Sequence, residues 1–340
     1  MTTHDSTRLP LPLPLVLSRL LGALALSAVA VTGCRTEKAP PQDSTRGANA
    51  LRPGAGTATA PEPAAQKLGV VAQMKTPESV RYDPDLDVYF VSNINGNPSQ
   101  HDGNGYIVRI PAESTTTATV VAEGGKNGVR LDAPKGMAIL GDQLWVADID
   151  VVRVLNKRTG RPVKTIDLKP MKATFLNDVV AGADSAVYVT DTGIAFDAKG
   201  GMTHPGVNRI FRIALSGDKV TEAATGDALE NPNGITWDAA NKRFVLAPFA
   251  GKDVQTWTPG QAPAKLAEGP GQYDGIEVLN DGRVLVSSWA DSSVYVVRDG
   301  KMTKVVATVS APADIGVDTK RNVLAIPRFD QNQVEFWRIP

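Results

Sequence analysis

Six short phrases in this chain share one frame: Pro77-Glu78-Ser79-Val80, Pro134-Lys135-Gly136-Met137, Leu176-Asn177-Asp178-Val179, Pro232-Asn233-Gly234-Ile235, Tyr273-Asp274-Gly275-Ile276 and Pro312-Ala313-Asp314-Ile315. Their second residues are Glu78, Lys135, Asn177, Asn233, Asp274 and Ala313, so four of the six positions offer a side-chain oxygen. Taken singly, Asn, Asp and Gly are turn residues, tolerant of unusual backbone angles and able to bond their own backbone. Pro232-Asn233-Gly234 reads that way, with Gly234 supplying the turn before a strand. Four donors at one frame position need a further account. Two carboxylates about 5 Å apart would repel by roughly 3 kcal/mol at an effective dielectric near 20, and a bound dication removes that cost. Ligation by oxygen without Cys or His suits a hard cation: Ca2+ first, then Mg2+ or Mn2+, with Zn2+ last. Lys135 leaves three alternatives open. Its ammonium could pair with Glu78 or Asp274 in place of a metal, face an anionic substrate group, or assist a developing oxyanion.

Each phrase is followed by an apolar stretch, a turn and a strongly β-prone run, namely DVYFVSN, QLWVADI, AVYVTDT, RFVLAPF, RVLVSSW and NVLAIPR. A third strand follows in every unit, such as GYIVRI or VVRVLN, and a fourth closes most of them, such as TATVVAEG. Repeating units of four short strands are the signature of propeller blades. The expected fold is therefore all-β, a six-bladed β-propeller over 66–340. The last unit ends at Pro340 one strand short, so a strand from about 67 to 74, KLGVVAQM, is expected to complete that blade and remove a sheet edge. An open β-sandwich would leave six in-frame phrases unexplained.

In a propeller the phrases open the innermost strands, so their side chains converge on the axis at one face. Loops between second and third strands share that face. Two of them are long, 94–105 and 192–208, and they carry His101 and His204, the histidines beyond the first residues. Both are expected to overhang the axis, as substrate contacts or a proton shuttle. Lys+Arg and Asp+Glu are equal at 36 each, so the chain shows no basic footprint for nucleic acid. GxSxG, HExxH and P-loop patterns are absent, which leaves serine-hydrolase, zinc-protease and nucleotide-hydrolysing readings without support. A quinone-dependent sugar dehydrogenase would need more histidine than the chain has.

The phrases PESV, LND, PNGI and YDGI together make the chain resemble the senescence-marker-protein/gluconolactonase/luciferin-regenerating-enzyme (regucalcin-like) family of six-bladed propellers over about 66–340, and more distantly paraoxonases and diisopropylfluorophosphatase. The resemblance implies a divalent metal held by Glu78, Asn233 and Asp274, with Asn177 beside it as ligand or substrate contact, and Asp274 as general base. It implies metal-assisted hydrolysis of a lactone or related ester, in which the metal polarises the carbonyl while water attacks. Two positions depart from the sugar-lactone pattern. Phe175 stands where an Arg is usual, two residues before Asn177, which admits a more apolar lactone or ester at the substrate-binding wall. Lys135 is unlike its counterpart in those enzymes. A non-catalytic propeller that binds a small ligand or a protein partner is the competing expectation.

The N-terminal region has a separate character. A basic start precedes an apolar run from Leu20 to Val31, too short to span a bilayer, and it reads as an export signal over 1–33. Val31-Thr32-Gly33-Cys34 resembles a bacterial lipobox, with lipid attached to Cys34, the sole cysteine. Residues 34–65, rich in Pro, Ala, Thr and Gly, read as a disordered tether. The expectation is an exported lipoprotein held at the outer membrane or cell surface, and a monomer.

Overall fold

The computed structural model describes residues 64–340. The expected signal segment, Cys34 and the 34–63 stretch lie outside the described residues. Six four-stranded antiparallel sheets make up the domain, with one two-stranded hairpin besides. Their innermost strands are Pro77–Asp83, Pro134–Leu140, Leu176–Ala181, Pro232–Asp238, Tyr273–Val278 and Gly316–Asp318. The sheets are numbered here as blades one to six in that order. Blade six consists of Gly316–Asp318, Val323–Arg328, Gln333–Arg338 and, outermost, Gln66–Val71, which pairs antiparallel with Gln333–Arg338. The strand expected over 67–74 is shorter at its end. Ala72–Met74 leave the ladder, and the Met74 N–H bonds instead to the Asn332 carbonyl at 3.0 Å.

Burial follows from this stacking. Each second strand is covered on both faces by neighbouring blades, so Val88–Asn93 and Ala186–Asp191 are buried almost throughout, as their continuous apolar sequences require. Outer strands such as Thr119–Glu123 are more open to solvent, with Thr119 and Val120 exposed and Ala122 buried. Between each pair of adjacent blades sits one apolar cluster. Trp145 and Val154 of blade two pack on Val189 and Phe211 of blade three. Tyr89 and Val91 of blade one pack on Phe336 and Val334 of blade six, which brings the last blade against the first.

At the axis, blades six and one are joined through the backbone as well as through the Ser79 hydroxyl, which donates to Asp314 Oδ2 at 2.6 Å. Ser79 and Asp314 form a parallel bridge, with Val80 N–H bonded to Asp314 O at 3.0 Å and Asp314 N–H to Glu78 O at 2.8 Å. Packing here is tight enough to dictate glycine. A Cβ on Gly234 would lie 2.3 Å from the Asp274 carbonyl oxygen, and one on Gly275 would lie 2.3 Å from the Ile315 nitrogen. Neither glycine is among those with positive φ. Gly234 therefore does not supply a turn, as the Pro-Asn-Gly pattern led one to expect. It is glycine because the next blade's backbone passes where a side chain would stand.

Candidate active site at the axis

Each of the first five phrases sits at an irregularity of its ladder. Register shifts between Pro77 and Val80, Pro134 and Met137, Leu176 and Val179, Pro232 and Gly234, and Tyr273 and Ile276. A β-bulge leaves its extra residue unpaired and re-aims the side chain. Here it frees the second phrase residue to face the axis. The N–H groups released by the bulge are recovered by hydroxyls on the second strand: Ser79 N–H bonds to Ser92 Oγ at 3.0 Å, Asp178 N–H to Thr190 Oγ1 at 2.9 Å and Gly275 N–H to Ser287 Oγ at 2.8 Å. Thr190 and Ser287 then donate onward to the next blade, to Asn233 O at 2.7 Å and Ala313 O at 2.9 Å. One hydroxyl thus fixes a bulge and ties two blades.

Glu78, Lys135, Phe175, Asn177, Asn233 and Asp274 line a single cavity of about 270 Å³. All six are nearly inaccessible, Glu78 and Asp274 at 5% each. Asn177 Nδ2 donates to Thr192 Oγ1 at 3.0 Å, and Thr192 donates to Pro232 O at 2.9 Å. That relay leaves the Asn177 Oδ1 as the atom available to the cavity. Glu78 Oε2 and Asp274 Oδ1 are buried with no hydrogen-bond partner. Burial, reinforced by Asp274 and Asp314, pushes the Glu78 carboxyl well above its usual range, with Lys135 opposing. Burial, reinforced by Asp314 and Asp178, pushes Asp274 up likewise, against the pull of the Trp289 indole and the Asn233 amide.

Lys135 makes neither ion pair that its sequence position allowed. Its Nζ donates to Pro98 O and Ala133 O, each at 3.0 Å, and lies 4.2 Å from the centre of the Phe175 ring. Burial lowers its pKa to about 8, with Glu78 opposing. The ammonium is therefore engaged on three sides, and it clamps the 94–105 loop to the floor of blade two.

The two histidines do not reach the cavity. His101 lies between Asp132 and Asp150, with Nδ1 and Nε2 each 3.3 Å from a carboxylate oxygen. His204 is exposed on the blade-three loop. Both were expected over the axis. The loops do overhang it, but what they project is Pro98, Ile194, Phe196 and Met202, because the hairpin Ala195–Phe196/Met202–Thr203 turns Phe196 inward. The loops also grip each other: Asn97 Nδ2 donates to Asp197 O at 2.7 Å, and Phe196 N–H to Ser99 Oγ at 2.9 Å.

Two features escaped the sequence reading. One is an aromatic tier above the polar floor. Phe249, Trp289 and Phe329 stand in the cavity wall, with Trp289 5.3 Å from Phe329 and 6.0 Å from Phe249 between ring centres. Their signal was present in the repeat, since each directly follows its blade's second strand, at Pro248, Ser288 and Arg328. The other is Arg81, beneath the floor. It pairs with Asp178 at 3.0 Å, Asp314 at 2.9 Å and Glu277 at 3.5 Å, and donates to the carbonyls of Met137 and Ile315. Five blades meet on this one guanidinium.

The donor chemistry fits a hard cation. Two carboxylates and two amides converge, and each carboxylate keeps an orphaned oxygen. Among the described residues no three His, Cys, Asp or Glu side chains cluster as a metal site, so any ligand shell here would have to draw on the two amides as well as the two carboxylates.

A six-bladed propeller whose inner phrases line an acidic axial cavity defines the structural class. Residues 76–317 match the model of the SMP-30/Gluconolactonase/LRE-like region, and the chain belongs to that family. Among solved structures, a luciferin-regenerating enzyme superposes with a TM-score of 0.61 at 11% identity, covering 81% of this chain and 94% of that one. A gluconolactonase from Xanthomonas campestris gives 0.60 at 15% identity, covering 85% and 99%. A streptogramin B lyase gives 0.55 at 10% identity, covering 81% and 97%. At these identities the likeness is one of fold. A comparison with curated proteins returned no match.

Proposed function

We propose that the protein is a divalent-metal-dependent hydrolase of a lactone or related ester. Family membership supports lactonase-type hydrolysis in general. The observation that carries the finer reading is the pair of orphaned carboxylate oxygens, Glu78 Oε2 and Asp274 Oδ1, buried beside two amides on the cavity floor. Buried like charges without a counter-ion are costly, and the site's own cation, Lys135, is bonded elsewhere. Glu78, Asn177, Asn233 and Asp274 would hold the ion, Ca2+ before Mg2+, Mn2+ or Zn2+. When bound, it would supply Lewis-acid polarisation of the substrate carbonyl.

The chain's own residues divide the remaining work. Asp274, with its pKa raised and one oxygen unpartnered, would take a proton from attacking water when that oxygen is outside the metal's ligand shell. Asn177, oriented through Thr192, offers its carbonyl oxygen to metal or substrate. Phe175 and the aromatic tier exclude bulk water. The test is hydrolysis of a panel of lactones and aryl esters by wild type and Asp274→Ala. Turnover that falls by about 10²- to 10⁴-fold in the variant is expected; equal turnover would remove Asp274 from the chemistry.

A second reading, a propeller that binds a ligand without turning it over, is favoured by one observation. The Lys135 ammonium faces Pro98, Ala133 and Phe175, so it is not free to meet an oxyanion. Absence of turnover across the panel together with saturable ligand binding would select it.

The proposal includes export and lipid anchoring at Cys34, which the VTGC motif supports. Cys34→Ser is expected to release the protein from membranes into the soluble fraction. Unchanged membrane association in that variant would exclude the anchor.

A further inference from the structure

The cavity has a polar floor and an apolar wall, and the two differ in what they can still bond. On the floor, Lys135 is spent on two carbonyls and an aromatic ring, and Thr192 joins the Asn177 amide N–H to the Pro232 carbonyl. What remains open on the floor is Glu78 Oε2, Asp274 Oδ1 and the Asn177 Oδ1, the groups assigned above to the cation, the proton and the metal or substrate contact. Above the floor, the wall is built by Ile94, Phe175, Ile194, Phe249, Trp289 and Phe329. Phe175 also stacks on Phe196 of the overhanging hairpin at 5.8 Å between ring centres. A ligand lodged in this wall meets hydrocarbon on both the blade side and the loop side.

We propose that the cavity selects an aryl or hydrocarbon ester or lactone over a polyhydroxylated sugar lactone, with the hairpin carrying Phe196 as a specificity-determining element. The inference rests on the hydrolase reading for its ester chemistry, but its physical basis is separate. Of these six wall side chains only Trp289 carries a polar group, an indole N–H, so most of the hydroxyls of a sugar lactone would leave water with no partner to receive them. An aryl group gains by leaving water and meets ring faces and edges suited to it. Phe196 is half-buried and its hairpin is fixed by Ser99 and Asn97, so the element is positioned before any ligand arrives.

The test uses the full chain and two matched pairs. Binding of 2-tetralone, the carbocyclic counterpart of dihydrocoumarin, and of D-glucose is followed by calorimetry. Hydrolysis of dihydrocoumarin and of D-glucono-δ-lactone is followed in parallel. The expected result is at least tenfold tighter binding of 2-tetralone than of glucose, weakened several-fold in Phe196→Ser. Phe249→Ser in the blade-four part of the wall gives a second reading should the hairpin variant repack. Glucose binding as tight as 2-tetralone, or neither ligand binding at millimolar concentration, overturns the proposal. Preference for gluconolactone in kcat/KM overturns it while leaving the hydrolase reading intact. Selective 2-tetralone binding without turnover of either lactone upholds the wall and removes the hydrolase.

Discussion

Asp274 is asked to be both a ligand and a base, and burial raises the cost of either role. Its carboxyl and that of Glu78 are pushed well above their usual range by burial, with Asp314 and Asp178 adding to the rise at Asp274, and Asp274 and Asp314 adding to it at Glu78. A site arranged for function in this way is destabilised when empty. Glu78→Gln and Asp274→Asn, which remove one charge while keeping shape, are each expected to raise the melting temperature of chelator-treated protein by about 2–4 °C. The same variants should lose the further rise that Ca2+ gives the wild type. Calorimetric melts with and without Ca2+ check both halves; variants that melt lower than wild type in chelator would contradict the account of mutual repulsion. The six frame positions were legible in sequence because five of the six phrases keep a polar side chain in the same slot, with Ala313 the exception. The direction of the Lys135 ammonium was not legible, because it depends on Pro98, thirty-seven residues away in a loop of irregular conformation.

The inner strands explain why the phrase has its form. Position two is lifted out of the ladder by a bulge, and position three must be small where the next blade's backbone approaches. Gly234→Ala would place a Cβ 2.3 Å from the Asp274 carbonyl oxygen. The expected cost is about 1–3 kcal/mol of stability, with Asp274 displaced and activity lost beyond the fraction unfolded. Urea denaturation measures the first, and unchanged stability would show that the blades relax apart. Below the floor, Arg81→Met leaves Asp178 and Asp314 without their shared cation, for an expected loss of about 3–5 kcal/mol. Arg81 was hidden in the sequence. It falls on the first inner strand four residues after the phrase begins, and its partners come from four other blades that no local pattern joins to it. The bulges were equally hidden, since a one-residue shift in pairing leaves the run of β-prone residues unchanged.

Across the whole domain, closure by six similar interfaces builds a rigid ring, and the axis concentrates charge within it. Among the described residues, Glu78, Asp178, Asp274, Glu277 and Asp314 face only Arg81 and Lys135 as cations there. Burial pushes Glu277 from the usual 4.5 up to about 7 against the pull of Arg81, with Asp314 adding to the rise. A carboxyl with a raised native pKa contributes stability that is fully present below its unfolded pKa and is lost as pH rises through the native value. Stability is therefore expected to fall between about pH 4.5 and 7, and Glu277→Gln is expected to flatten that slope. Denaturation midpoints at pH 5 and pH 8 for both proteins give the comparison; parallel slopes would exclude Glu277 as a source. The fold itself was readable because blade number, strand order and the incomplete last unit all follow from repetition. What the two long loops place over the axis was not, because His101 and His204 marked those loops by chemistry whereas the structure uses their apolar residues.

The central claim is that a dication held by Glu78, Asn177, Asn233 and Asp274 enables ester hydrolysis. Its most direct test is the rate of dihydrocoumarin hydrolysis by chelator-treated full-length protein as free Ca2+ is raised. The account predicts negligible turnover without Ca2+, saturable recovery on its addition, and no recovery in Glu78→Gln. Turnover that is independent of Ca2+ and of the other divalent ions, or undiminished in Glu78→Gln, would contradict it.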